Sequence, residues 1–200
     1  MKIGIFGGSF NPPHKKHKEI AQELIRKHYV DKIIFVPTGA KYKYKYNLLS
    51  NEERLTMLEL MIEKEPNMEV STYELQDKVV YTYQTLDHFT QKYPHDDIYF
   101  ICGTDNLSYI DKWKHGKELL KKYKFLVIKR NMNQIEPLLK KYKDYKDHII
   151  VTTIKESTIS STKIREKVYN KKGCQKYLDK RGLDYIKENS LYRKEEENEF

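Results

Sequence analysis

The sequence predicts an α/β protein with a doubly wound, mostly parallel sheet, helices on both of its faces, and a small helical segment near the C-terminal end. Apolar runs of strand length alternate along the chain with stretches of helical period. The runs are continuously apolar, which is typical of strands buried on both faces. No repeat or Ser/Gly-rich linker divides the 200 residues. We therefore expect one domain, with a sheet core over 1–155, a helical segment over 156–193 and a charged tail over 194–200.

The strands are predicted from the apolar runs taken in order. KIGIF opens the chain, KIIFVP follows, and IYFICG, FLVIKR and HIIVTTI come later, with a weaker candidate near the middle. Strands are expected at 2–6, 32–37, about 68–75, 98–103, 125–130 and 148–154.

The helices are predicted from apolar spacing and capping residues. NEERLTMLELMIEKE, at 51–65, can be capped by Ser50 or Asn51. Its apolar stripe is formed by Leu55, Leu58, Met61 and Ile62. Other helices are expected at about 12–28 and 82–92, after Asp105 or Lys112, in the lysine-rich stretch between the last two strands, and in short pieces from Ser160. Residues 38–50 are predicted to form a long loop.

Composition limits the function classes. No apolar run approaches the roughly 20 residues of a membrane span, and MKIGIF turns at once to glycine and polar residues, so no signal peptide is expected. Two cysteines, Cys102 and Cys174, give no disulfide framework and fit a reducing compartment, so a cytoplasmic protein is expected. The net charge of +9 favours anionic partners.

Lysine and tyrosine are concentrated in two runs, KYKYKY at 41–46 and KKYKDYKDH at 140–148. They are interpreted as solvated loops and helix faces. The alternative is a protein that grips single-stranded nucleic acid by charge and stacking. Such a protein would not need the histidines described next.

The stretch GIFGGSFNPPHKKH, at 4–17, combines features that favour an anion site. Gly7 and Gly8 are expected to form the turn after the first strand, because glycine allows positive φ and a close approach to the main chain. Asn11 can cap the next helix and Pro12 suits its first position. His14 and His17, spaced i and i+3, then share a face near the positive end of the helix dipole.

The helix dipole disfavours protonated histidine, so both imidazoles are expected to be largely neutral until a phosphate binds. The histidine pair has two other readings, a metal site or an ordinary helix start with exposed side chains. No Cys, Asp or Glu nearby completes a ligand set. G-x-G-x-x-G and the P-loop pattern are absent here, which disfavours a hydride-transfer enzyme and a P-loop kinase.

ISSTKIR, at 159–165, predicts a second helix start that can bind an anion. Ser160, Ser161 and Thr162 are cap-type residues that open a helix, and Arg165 lies one turn further in. Main-chain N–H groups, hydroxyls and a guanidinium can converge there on a phosphate. Taken alone, the stretch also fits a plain capped helix.

Together these two stretches resemble the signatures of the nucleotidyltransferase superfamily, H-x-G-H after a glycine-rich turn and ISST-x-x-R. The resemblance covers nearly the whole chain and points to the bacterial nicotinate-nucleotide adenylyltransferases. It is carried further by VVYTYQTL at 79–86, YFICGTDNLSYIDKWKHGKELL at 99–120, FLVIKR at 125–130 and YLDKRGLDYIKENSLY at 177–192. It implies a Rossmann-like fold and adenylyl transfer from ATP to nicotinate mononucleotide, with Mg²⁺ carried by the ATP phosphates and no metal held by the protein.

The resemblance also implies roles for individual residues. His14, His17 and Arg165 would be catalytic. ATP would be bound by Gly7, Gly8, Ser9, Phe10, His14, His17, Gly103, Asp105, Ile159, Ser160, Ser161 and Arg165. The mononucleotide would be bound by Lys43, Thr82, Tyr109, Trp113 and Arg130. Asp105 has the alternative of capping a helix, and Trp113 that of anchoring one.

Three positions depart from the family pattern. Lys16 occupies the place of the glycine between the histidines, and activity is expected to survive if its side chain points outward. Asn11 replaces the usual aspartate. The loop AKYKYKYNLL differs from the family's P-P-H-K, and Lys43 or Lys45 is the candidate for its lysine. The acceptor alternatives are nicotinamide mononucleotide and phosphopantetheine, and the sequence leaves an oligomer open.

Overall fold

The computed structural model describes residues 1–41, 48–129, 135–155 and 159–193. Its six strands form one sheet in the order β3-β2-β1-β4-β5-β6, and every neighbouring pair is parallel. The strands are β1 (Lys2–Gly8), β2 (Lys32–Pro37), β3 (Met68–Val70), β4 (Asp97–Gly103), β5 (Lys124–Lys129) and β6 (Ile149–Lys155). The predicted parallel α/β sheet is confirmed.

Helices connect all successive strands. They are α1 (Lys15–Arg26), α2 (Asn51–Ile62), α3 (Thr82–Lys92), α4 (Thr104–Tyr109), α5 (Gly116–Lys122), α6 (Ile135–Lys141), α7 (Ser161–Tyr169) and α8 (Lys180–Glu188). Short 3₁₀ segments lie at Ile110–Lys112 and Lys143–His148. The predicted helix at 82–92 is confirmed in full, and Ser50 rather than Asn51 caps α2.

Both faces of the sheet are buried, because successive side chains of a strand point to opposite faces. On β2, Ile34 and Val36 pack with α3 and α5, whereas Ile33 and Phe35 pack with α1 and α2. Phe125 on β5 joins the first of these clusters and its neighbour Leu126 joins the second. This two-sided burial explains why the strands are continuously apolar in the sequence.

The strand order also fixes where a ligand can bind. The chain builds β1, β2 and β3 outward to one side and then returns, so that β4 pairs with the other edge of β1. A crevice opens beyond the carboxyl ends of the strands at such a switch point. Here it lies beside the ends of β1 and β4, at Gly8 and Gly103.

The C-terminal helices pack on α2 rather than on the sheet. Ile164 of α7 and Leu183 and Ile186 of α8 form a buried cluster with Met57 of α2 and with Leu191 near the end of the described chain. The segment from Ser160 onward is therefore attached to the core through α2.

The turn after β1 differs from the prediction. Gly7 and Gly8 continue the strand, pairing with Val36 and Pro37 of β2, and no described glycine has a positive φ. Within this turn, the residue with a positive φ is Phe10, at 46°. The small size of Gly8 serves packing instead, since a Cβ on it would lie 3.0 Å from the Phe10 ring.

The start of α1 also differs. His14, in an extended conformation, is the N-cap residue, and the helix begins at Lys15 rather than near Pro12. Two successive prolines explain the shift, because a residue before proline is driven out of the helical region. Asn11 does not cap the helix. Its Oδ1 atom accepts hydrogen bonds from the Leu49 N–H, at 3.3 Å, and the Tyr192 hydroxyl, at 2.8 Å.

Smaller boundary differences follow from local contacts. The strand expected near 68–75 ends at Val70. Its continuation turns instead, with the Leu75 N–H donating to the Thr72 carbonyl at 2.9 Å. The helix after β4 starts at Thr104.

Arg54 is fully buried, which the helical stripe of α2 did not predict. Its guanidinium donates to the carbonyls of Ser9, at 2.8 Å, and Leu49, at 3.1 Å, and to Oδ1 of Asn51, at 2.8 Å. Burial lowers the pKa of this guanidinium. The side chain thus joins the segment after β1 to the start of α2.

We predict that Arg54→Met lowers the free energy of unfolding by about 3 kcal/mol, because it removes three hydrogen bonds of a buried guanidinium and takes this donor from the partly buried carbonyls of Ser9 and Leu49. Urea unfolding followed by circular dichroism measures the change. Arg26→Met, at an exposed position of α1, is the matched control and should shift the midpoint little. Equal midpoints for the two variants would contradict the structural role of Arg54.

Candidate active site

Two adjoining pockets open at the crevice beside the ends of β1 and β4. The first, here called the histidine pocket, encloses about 680 Å³, part of it open to solvent. Residues from β1, α1, β4 and α4 line it. They include Gly7, His14, Lys16, His17, Gly103, Asp105 and Asn106.

The second, here called the tryptophan pocket, encloses about 1660 Å³ and is also open to solvent. It lies against the start of α3 and the segment after α4. Its lining includes Gly7, Gly8, Thr38, Glu74, Tyr81, Thr82, Asn106, Lys112, Trp113 and Lys114.

The two pockets share Gly7 and Asn106. Gly7 is the second-to-last residue of β1, and Asn106 is in the first turn of α4. Because both pockets touch these residues, molecules bound in them would meet at this point. The arrangement suits a reaction between two ligands.

The histidines stack on each other at the start of α1. Their ring centroids are 3.7 Å apart with an interplanar angle of 20°. The His14 N–H donates to Nδ1 of His17 at 3.2 Å, so this nitrogen acts as an acceptor and the neutral His17 ring carries its proton on Nε2. Two imidazolium rings in this contact would repel each other, which favours at most one charge on the pair.

Phe10 holds His17 in place. Its ring is almost fully buried and meets the His17 ring edge to face, with centroids 5.0 Å apart. Phe6 makes a similar contact with His17 at 6.0 Å. The predicted role of Phe10 in binding ATP is thereby restricted to its main chain, since its side chain belongs to the core.

The start of α7 lies beside the segment that precedes α1. The Ser161 hydroxyl donates to the Pro12 carbonyl at 2.8 Å, and the Arg165 guanidinium donates to the Asn11 carbonyl at 2.7 Å. Ser160 caps α7, accepting from the Lys163 N–H at 3.3 Å. The two helix starts, far apart in sequence, therefore lie side by side.

Gly103 and Asp105 lie in the histidine pocket. Gly103 is the N-cap residue of α4, so Asp105 sits inside its first turn and does not cap it. A carboxylate there is stabilised by the positive end of the helix dipole.

Thr82 and Trp113 lie in the tryptophan pocket. Thr82 is the first residue of α3. The indole of Trp113 is partly buried and meets Phe100 edge to face at 6.1 Å. It therefore anchors its segment on the core and also contributes to the pocket.

Among the predicted residues that the structure describes, several line neither pocket: Ser9, Phe10, Tyr109, Ile159, Ser160, Ser161 and Arg165. Tyr109 is 58% exposed and is absent from the linings of both pockets in the described chain. Ile159 packs against the cluster of α2, α7 and α8. Lys43, its alternative Lys45, and Arg130 lie outside the described residues, so the structure does not place them.

Several lining residues were missed by sequence reasoning. Asn106 lies in the first turn of α4 and lines the pocket. Its position directly after Asp105, a predicted ligand residue, was the sequence signal that could have identified it. Lys112 and Lys114 flank Trp113 and bring positive charge to the tryptophan pocket. Lys16 lines the histidine pocket, and its ammonium lies 3.4 Å from Oε2 of Glu19.

The structure bears on the other readings of the sequence. In the run at 140–148, Tyr142 is buried and Tyr145 packs on the core, so these rings do not form an exposed stacking surface. Most of the run at 41–46 lies outside the described residues. Within the described ranges, no cluster of three or more His, Cys, Asp or Glu side chains is placed to hold a metal ion. Nor does this part of the chain contain a helix with the length and apolarity to cross a membrane.

Comparison with known proteins agrees with this geometry. The family model described as cytidylyltransferase-like matches residues 5–167. A relative from Carboxydothermus hydrogenoformans, named "Probable nicotinate-nucleotide adenylyltransferase", is 38% identical over 200 residues, covering 96% of this chain and 98% of the relative. A relative of the same name from Clostridium tetani is 35% identical over 198 residues, covering 96% and 99%.

A solved structure gives the same fold. It is the nicotinic acid mononucleotide adenylyltransferase of Plasmodium falciparum complexed with NaAD, which matches with a TM-score of 0.82 at 23% identity. The match covers 96% of this chain and 97% of that one.

We predict that ¹⁵N NMR finds His17 in the Nε2–H form in the ligand-free protein at neutral pH, because Nδ1 accepts from the His14 N–H. Adding Mg²⁺–ATP should shift the ring signals of His14 and His17, whereas exposed His95 serves as the reference and should stay unchanged. A doubly protonated His17 before nucleotide is added would contradict the observed contact.

Proposed function

The chain belongs to the nicotinate-nucleotide adenylyltransferases, within the cytidylyltransferase-like family, and we propose on that premise how its residues perform the reaction. It transfers the adenylyl group of ATP to nicotinate mononucleotide, giving nicotinate adenine dinucleotide and pyrophosphate in NAD biosynthesis. The observation that carries this assignment in the structure is the pair of pockets that meet at Gly7 and Asn106.

The chemical step is a displacement at phosphorus. A 5′-phosphate oxygen of the mononucleotide forms a bond to the α-phosphorus of ATP, while the bond from that phosphorus to the bridging oxygen of the β-phosphate breaks. Pyrophosphate leaves with the electron pair. Because both reactants are anions, the protein chiefly has to position them and neutralise their charge.

ATP is proposed to occupy the histidine pocket. His17 donates from Nε2 to a phosphate oxygen, and His14 acts beside it. Asp105 accepts hydrogen bonds from the ribose hydroxyls, a role that suits a carboxylate after a strand end. The start of α7 does not line this pocket, but Ser161 and Arg165 hold it against the segment before α1. Ser160, Ser161 and Arg165 are proposed to reach the phosphate end of a bound ATP from there.

Mg²⁺ is proposed to enter with ATP, coordinated by triphosphate oxygens, which are the hard ligands that it prefers. When bound, the ion lowers the negative charge on the phosphates. The protein's own task is then to hold the triphosphate so that the leaving group points away from the acceptor.

The mononucleotide is proposed to occupy the tryptophan pocket. A pyridinium ring is flat and cationic, which suits the face of the Trp113 indole. Main-chain N–H groups near Thr82, at the start of α3, can receive the nicotinate carboxylate. Lys112 and Lys114 line this pocket as well and favour an acid over an amide. We propose a cytoplasmic location, which the buried free thiols of Cys102 and Cys174 support.

We predict that the protein releases pyrophosphate when given ATP, Mg²⁺ and nicotinate mononucleotide, and that kcat/KM for the amide mononucleotide is lower by at least about tenfold, the worth of one charge-assisted hydrogen bond. A coupled pyrophosphate assay measures both rates. Phosphopantetheine serves as the unrelated acceptor. A faster reaction with the amide or with phosphopantetheine would overturn the proposed acceptor.

We predict that His14→Ala and His17→Ala each lower kcat by about 10²–10³-fold, the usual cost of removing one donor to a transition state. His95→Ala, at an exposed position, is the matched control and should keep the wild-type rate. Full activity in both site variants would show that the histidines do not act on the phosphates.

A further inference from the structure

We propose that Lys16 binds the polyphosphate of ATP and supplies the permanent positive charge of the histidine pocket. This inference rests on the proposed function and adds a residue to it. The family signature has a glycine between its two histidines, so this contribution is a property of this chain.

The position of Lys16 places it at the site. It is the second residue of α1, between His14 and His17, and it lines the same pocket as both rings. Its side chain is only 15% exposed. Two N–H groups of this first turn are already engaged, since Lys15 donates to the Tyr177 carbonyl and His17 to the His14 carbonyl, both at 2.9 Å. What the turn can offer a phosphate therefore rests mainly on the ammonium group.

The other residues that line the pocket offer a polyphosphate little positive charge. Among the residues that line it in the described chain, Lys16 is the one Lys or Arg, and Asp105 brings a negative charge. His17 acts as an acceptor at Nδ1, and its stacking on His14 opposes a second charge. Arg165 lies outside this lining and donates to the Asn11 carbonyl.

The lysines on either side of Lys16 are engaged elsewhere. The Lys15 ammonium is 3.5 Å from the Gln175 carbonyl. The Lys18 ammonium donates to the Met61 carbonyl at 3.0 Å and pairs with Glu65 at 3.5 Å. Of the lysines in the first turn and a half of α1, Lys16 is therefore the one that lines the pocket.

The ion pair of Lys16 can be exchanged for a phosphate. Its ammonium lies 3.4 Å from Oε2 of Glu19, whose side chain is 54% exposed. An i,i+3 pair whose carboxylate is largely in solvent contributes little to stability. A triphosphate entering the pocket offers several negative oxygens, so Lys16 can turn from Glu19 to the ligand at little cost.

The test compares variants that alter charge with variants that keep it. Lys16→Met removes the ammonium and keeps most of the side-chain length, Lys16→Arg keeps the charge, and Glu19→Gln removes the competing carboxylate. Lys15→Met is the matched control. Calorimetry gives the Kd for inorganic tripolyphosphate and for Mg²⁺–ATP, and steady-state kinetics gives KM for ATP and for the mononucleotide.

For Lys16→Met we expect a rise of about tenfold or more in the Kd of tripolyphosphate and in the KM for ATP, the effect of one charge-assisted contact. The KM for the mononucleotide should stay within twofold, and so should its Kd, measured by quenching of Trp113, the single tryptophan. Lys16→Arg should restore most of the affinity, and Glu19→Gln should tighten ATP binding. Lys15→Met should match the wild type.

Wild-type affinity for tripolyphosphate and ATP in Lys16→Met would overturn the inference and leave the proposed reaction standing. An equal loss in Lys15→Met would also overturn it, since a general charge effect would then explain the result. Conversely, Lys16-dependent binding of tripolyphosphate without any turnover by the wild type would support the role of Lys16 and contradict the proposed function.

Discussion

The site depends on one constraint, the need to supply donors to the buried main-chain carbonyls between β1 and α1. This segment contains two prolines, which have no N–H, and it forms neither strand nor helix. Its carbonyls at Ser9, Asn11 and Pro12 accept from Arg54, Arg165 and Ser161, respectively. Each donor is a side chain far away in sequence.

These donors explain why distant parts of the chain converge on the histidines. Arg54 belongs to α2, and Ser161 and Arg165 belong to α7. The hydroxyl of Tyr192 adds a fourth link, to the side chain of Asn11, and desolvation raises the pKa of that phenol. A segment held from several directions keeps the donors beside it in fixed positions, which is what charge stabilisation in a transition state requires.

The sequence allowed the sheet and the position of the crevice to be predicted because both follow from local patterns. Continuous apolar runs and loops at strand ends are visible in the residues themselves. The sequence predicts a start of α1 that is too early, because Asn11 by itself is a good helix cap. Its hydrogen-bond partners in the structure, Leu49 and Tyr192, are far away in sequence. The burial of Arg54 could not be predicted from the sequence either, because an arginine on a helix is usually exposed.

The histidines and the lysine of the histidine pocket have different tasks. Two rings stacked at 3.7 Å cannot both be charged without strong repulsion, so the histidines serve better as hydrogen-bond donors than as a store of positive charge. A triphosphate nevertheless needs cations close to it, and Asp105 makes that need greater. Lys16 meets it from the same helical turn, without adding charge to the stacked rings themselves.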